Sequence, residues 1–110
     1  MQVLANARLV VERMALPSSE QFEWLARQHL RPIDLVESLI STLRAAMFEF
    51  GDHLSPTLRL RLEALDGELR SLSLSQDPPE TPDELLQHSN WAAATHLAAD
   101  ALGEAGWPSP

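Results

Sequence analysis

The 110-residue sequence predicts an all-α protein, a compact bundle of four to five helices. Three observations lead there. Apolar side chains recur every three or four positions along most of the chain, which is the period of a helix. Two segments, Ser55-Pro56 and Thr81-Pro82-Asp83-Glu84, carry helix-start signals, with a capping hydroxyl before a proline whose missing N–H costs nothing in the first turn. No segment makes a convincing strand.

The first helix is expected over 2–16. Val3, Leu4, Ala7, Val10, Val11 and Met14 share one side of it, Arg8 and Glu12 the other, and Pro17 ends it. A short helix over 19–30 follows, opened by a Ser18/Gln21 capping box. Phe22, Leu25, Ala26 and His29 share its inner face, with His29 at the edge of the core, while Trp24 points elsewhere. Pro32 starts the third helix, 32–50. Its apolar stripe, from Ile33 to Phe50, marks it as the central core helix, with Gly51 as its stop. Phe48 alone falls among its polar positions.

The fourth segment, 56–73, poses a choice. Leu58, Leu60 and Leu62 alternate with Arg59 and Arg61, as in a half-buried strand. However, Leu58, Leu62, Leu65, Leu69 and Leu72 step +4, +3, +4, +3, the spacing of a helical seam. The pairs Arg59–Glu63 and Asp66–Arg70 are i,i+4, which helps only in a helix. The helical reading accounts for more of the residues. The seam covers two heptads and is expected to be intramolecular core. Leu60, Ala64, Gly67 and Ser71 form a second, mostly small face, which either admits a close-packed helix or is simply solvated.

A Pro-rich surface linker at 76–82 precedes the last helix, 82–102, which is rich in alanine. The domain is expected to span 1–103, with 104–110 as a flexible tail that Trp107 could dock.

Composition removes several functions. Cysteine, lysine and tyrosine are absent, which excludes disulfides, thiolate nucleophiles, Schiff-base lysines and lysine phosphate loops. The arginine-only, Ala- and Leu-rich usage suggests the codon bias of a GC-rich, bacterial genome. Neither a signal peptide nor a membrane span is expected, so the reading is cytoplasmic. Net charge is −8, and no basic residue follows Arg70. Nucleic-acid binding needs a basic face, and none is legible.

The candidate chemistry is thin. Ser89, His96 and Asp100 are the residue types of a hydrolase triad, but Ser89 and His96 lie ~10 Å apart along a helix, where a nucleophile and its base need ~3 Å. His96 and Asp100 are i,i+4 and make either a surface pair or half of a metal site, and no H-E-x-x-H motif supports the second. Helices 19–30 and 32–50 resemble a helix-turn-helix in spacing, yet the recognition helix would begin with Asp34 and Glu37, which phosphates repel. No catalytic residue, cofactor or metal ligand is therefore assigned.

The expected function is a non-enzymatic protein-interaction module: an adaptor, chaperone-like subunit or inhibitor. Its partner-binding residues would be Phe48, Trp24, Trp91, Leu60, Ala64 and Gly67, since exposed aromatics anchor interfaces. Self-association is compatible with this reading, and the acidic C-terminal third suits a basic partner. A transcriptional regulator using Arg27, Arg31, Arg59 and Arg61 is the first alternative. A metal protein or small enzyme centred on His96/Asp100 is the second.

Overall fold

A computed structural model describes residues 2–104 and Trp107, with side chains from Ala5 onward. Val3 and Leu4, expected on the apolar side of the first helix, have side chains outside the described residues, and tail residues 105, 106 and 108–110 also lie outside them. Six α-helices form: α1 (Gln2–Met14), α2 (Ser18–Arg27), α3 (Pro32–Phe50), α4 (Pro56–Ser73), α5 (Pro82–Gln87) and α6 (Ser89–Leu102). A 3-10 turn, Gly51–His53, follows α3, and there is no strand among the described residues. The bundle is all-α, as the periodicity predicts.

The leucine seam decides the packing. Leu58, Leu62, Leu65, Leu69 and Leu72 are all fully buried, so the 56–73 segment is a core helix and its seam is intramolecular. Burying a leucine side chain contributes ~1.5–3 kcal/mol, which explains why the seam overrides the strand-like alternation at its start. Helix α4 packs between α3 and α6, and α1 closes the ring by touching both of those helices. Helix α3 is thus one of four walls around a shared core rather than its centre. No single stripe is wide enough to be surrounded, because each of the four helices has a polar outer side. The alanines of α6 serve close approach: Ala94, Ala98 and Ala101 are buried at i, i+4, i+7, facing the ring interior with Ala7, Val11 and Met14 of α1.

The start signals form as read. Ser55 Oγ accepts from Leu58 N–H at 3.2 Å. Thr81 Oγ1 accepts from Glu84 N–H at 3.2 Å, and the Glu84 carboxylate accepts from Thr81 N–H at 3.3 Å, a complete capping box.

Other expectations are corrected. The Ser18/Gln21 capping box does not form. Gln21 is buried instead, donating to the Met14 carbonyl and accepting from Trp91 Nε1. A backbone carbonyl at a helix end and a buried indole both need partners, and one amide supplies them. The inner face of α2 is therefore Gln21–Leu25, and Phe22 and Ala26 are exposed. Helix α2 stops at Arg27, short of residue 30, because His29 takes a left-handed conformation (φ 55°). His29 is an exposed helix stop and does not touch the core edge. The glycine after α3 is right-handed (φ −54°) and continues into the 3-10 turn rather than terminating the helix itself.

The helix expected over 82–102 is two helices. His88 is extended (φ −72°, ψ 132°), and its Nδ1 accepts from Asn90 N–H at 3.2 Å, capping α6. The break frees α5 to pack on α2 while α6 lies in the ring. The C-terminal segment is anchored where it is described: Glu104 accepts from Arg61 at 2.8 Å, and Trp107 Nε1 donates to the Ala101 carbonyl at 2.9 Å. The Arg8 guanidinium lies 5.9 Å from the Trp107 ring centre, which ties the segment to α1.

Candidate functional site

Two surfaces hold five of the six partner-binding residues expected from the sequence, all but Trp91. The first spans α3 and α4, which run antiparallel: Arg44 reaches Asp66 at 3.6 Å, and Gly51 lies against the Arg59 guanidinium. Phe48 sits on α3 between those two levels and is 91% exposed. The α3 apolar stripe has turned inward, and Phe48 lies on the opposite side, so folding makes no use of its ring. On α4, Arg59 pairs with Glu63 at 3.3 Å. Leu60, 66% exposed, occupies the next strip of α4, followed at i+4 and i+7 by exposed Ala64 and half-buried Gly67. A Cβ at Gly67 would meet no atom within 4 Å. Among the described residues no helix packs closely on this glycine, and the second face of α4 is open.

Beneath this surface Asp66 is buried (5% exposed) between Arg44 and Arg70, the latter at 3.0 Å. Its Oδ1 has no hydrogen-bond partner among the described residues. The arginines are half exposed, so the acid fixes α3 against α4 while two guanidinium groups remain at the surface.

The second surface is a cleft of about 600 Å³ among α1, α2 and α3. Leu9 of α1, Leu16 just after that helix, Leu35 and Leu39 of α3, and Trp24 of α2 supply its apolar lining. Trp24 is half buried there, which explains why it points away from the Gln21–Leu25 face. Glu20, Glu23 and Arg27 lie on the same side of α2 at i−4, i−1 and i+3 from Trp24, and Arg13 enters from α1. Apart from Trp24 and Arg27, these cleft residues carried no expected role. The shared helix face was legible in their spacing, but that it opens onto a gap rather than solvent was not.

Trp91 leaves the candidate set. It is 1% exposed, the largest fully buried side chain, with its Nε1–H 3.4 Å from Gln21 Oε1. It shares the buried face of α6 with Ala94, Ala98 and Ala101, at i+3, i+7 and i+10.

The rival constellations do not assemble. Asp100 faces Arg61 at 3.6 Å. Among the described residues no three His, Asp or Glu side chains are grouped to hold a metal ion. Of the four arginines required for a basic patch, Arg31 pairs with Asp34 (2.9 Å), Arg59 with Glu63, and Arg61 with both Glu104 and Asp100. The hydrogen bond that Arg61 donates to Glu104 raises the Arg61 pKa above its ordinary value, and the bond that Arg31 donates to Asp34 does the same for Arg31. Each of these charges is already matched by an acid. No helix among the described residues is long and apolar enough to cross a membrane. No family model, curated protein or solved structure matches this chain.

Proposed function

We propose that this chain is a non-enzymatic protein-interaction module, an adaptor, chaperone-like subunit or inhibitor, working in the cytoplasm. Phe48 carries the reading: a large aromatic side chain, 91% exposed, on a helix whose other large apolar residues are buried or half buried. Leaving such a ring in water forgoes ~1.5–3 kcal/mol of burial, which a partner surface would recover. Leu60, Ala64 and Gly67 extend the same surface across α4, and the small residues would let a partner backbone approach closely. The acidic loop around α5 would favour a partner with a basic rim, and a second copy of the chain is one candidate partner.

The test pairs the wild-type chain with a Phe48→Ser/Leu60→Ser double variant. Both positions are exposed, so the melting temperature should be nearly unchanged. The partner captured by the wild-type chain from its native host should be lost by the variant, and analytical ultracentrifugation should show whether that partner is a second copy. Capture that is indifferent to both substitutions would remove this surface from the proposal.

A further inference from the structure

The α1/α2/α3 cleft is distinguished by its charges as well as its apolar lining. Acids outnumber arginines sixteen to eight, so a free acid carries little information, whereas a free arginine does. Arg8, Arg31, Arg44, Arg59, Arg61 and Arg70 each have a carboxylate within 4 Å. Among the described residues Arg13 and Arg27 do not, and both line the cleft. Each stands in the last turn of its helix, where a cation favours the helix dipole. The dipole accounts for their positions in sequence, but not for their convergence from two helices on one cleft.

The α2 wall is also polarised along its length. Glu20 and Glu23 stand at one end, Arg27 one to two turns further on, and Trp24 lies between them. Seven residues of helix cover ~10 Å. Helix α2 itself is held mainly by α5, with a smaller contact to α1, so it stands away from α3 and leaves the gap open.

We propose that this cleft takes an amphipathic helix of a partner protein, in a fixed direction. The apolar stripe of the partner would rest on Trp24, Leu9 and Leu16, which are exposed or half buried. A basic side chain would meet Glu20 and Glu23, and a carboxylate about two turns away would meet Arg27. This is the helix-in-groove mode of recognition, in which apolar anchors supply affinity and flanking charges set orientation. The proposal rests on the interaction-module reading but names a different surface from the one around Phe48.

The probe is a phage-displayed library of random, helix-length peptides panned against the full chain. Selected peptides should carry an apolar i, i+3, i+4, i+7 stripe, with Lys or Arg about seven positions from Asp or Glu. Their chemical-shift perturbations should fall on Trp24 and Leu16. Arg27→Glu, at an exposed position, should leave the fold intact and weaken those peptides about tenfold. Panning on that variant should replace the selected carboxylate by a basic residue. Trp24→Ala should abolish binding while the circular dichroism stays helical. If the library yields no binder, or selected peptides show no charge spacing, or Arg27→Glu leaves the preference unchanged, the cleft proposal is overturned. Peptides that map instead to Phe48 and Leu60 also overturn it, while leaving the interaction-module reading intact.

Discussion

Gln21 links α1, α2 and α6 through one amide. Its nitrogen donates to the Met14 carbonyl at the end of α1, and its oxygen accepts from the indole of Trp91 on α6. At 4% exposure neither group has water to replace a lost partner. Gln21→Met keeps the volume but leaves the Trp91 N–H and the Met14 carbonyl unsatisfied. The expected cost is roughly 1–3 kcal/mol, read as a lower chemical-denaturation midpoint at unchanged slope. A wild-type midpoint in this variant would mean that the amide is not the partner these groups depend on. In sequence, Gln21 reads as a capping residue because a Gln three positions after a Ser is the usual cue for one. The buried demand from Trp91 lies seventy residues away and cannot be seen locally. Trp91 was misread for a related reason: it shares a face with Ala94, Ala98 and Ala101, and only the packing of α6 on α1 and α4 buries that face.

At the scale of helices, the start signals are the best-encoded features. Ser55 and Thr81 cap as read because caps depend on three or four adjacent residues. Helices α3, α4 and α6 also end where the sequence places them, at Phe50, Ser73 and Leu102, but the conformation at the stops is less legible. Two glycines that look like stops are right-handed, while His29 takes the left-handed turn. Helix α5 is only six residues long and depends on its capping box and on buried Leu85. Thr81→Ala should cost about 1 kcal/mol. The loss should be local, so amide exchange should quicken over 84–88 and stay slow in the α4 seam. Equal acceleration in both would show that α5 does not open separately from the ring.

At the scale of the molecule, four helices close a ring and two others decorate one side of it. The radius of gyration, 13.3 Å, matches the ~13 Å of a compact domain of this length. Trp107 closes the ring from the outside, bonded to α6 and lying against Arg8 of α1. Removing its ring should cost about 1.5 kcal/mol, combining one hydrogen bond with one exposed cation–π contact. Trp107→Ala should therefore lower Tm by several degrees. An unchanged Tm would restore the reading of the C-terminal segment as a free tail.

By itself the sequence determined that the chain is helical, where four of the six helices begin, that the leucine seam of Leu58 to Leu72 is buried, and that Phe48 has no place in its own core. These follow from spacing and capping, which act within a turn or two of helix. Only the tertiary structure decided the ring of four helices, the bend at His88, the burial of Trp91 and the cleft that gathers Arg13, Arg27 and Trp24. Those features depend on which helix faces are left over once the largest apolar surfaces have found each other, and contacts between distant segments settle that competition.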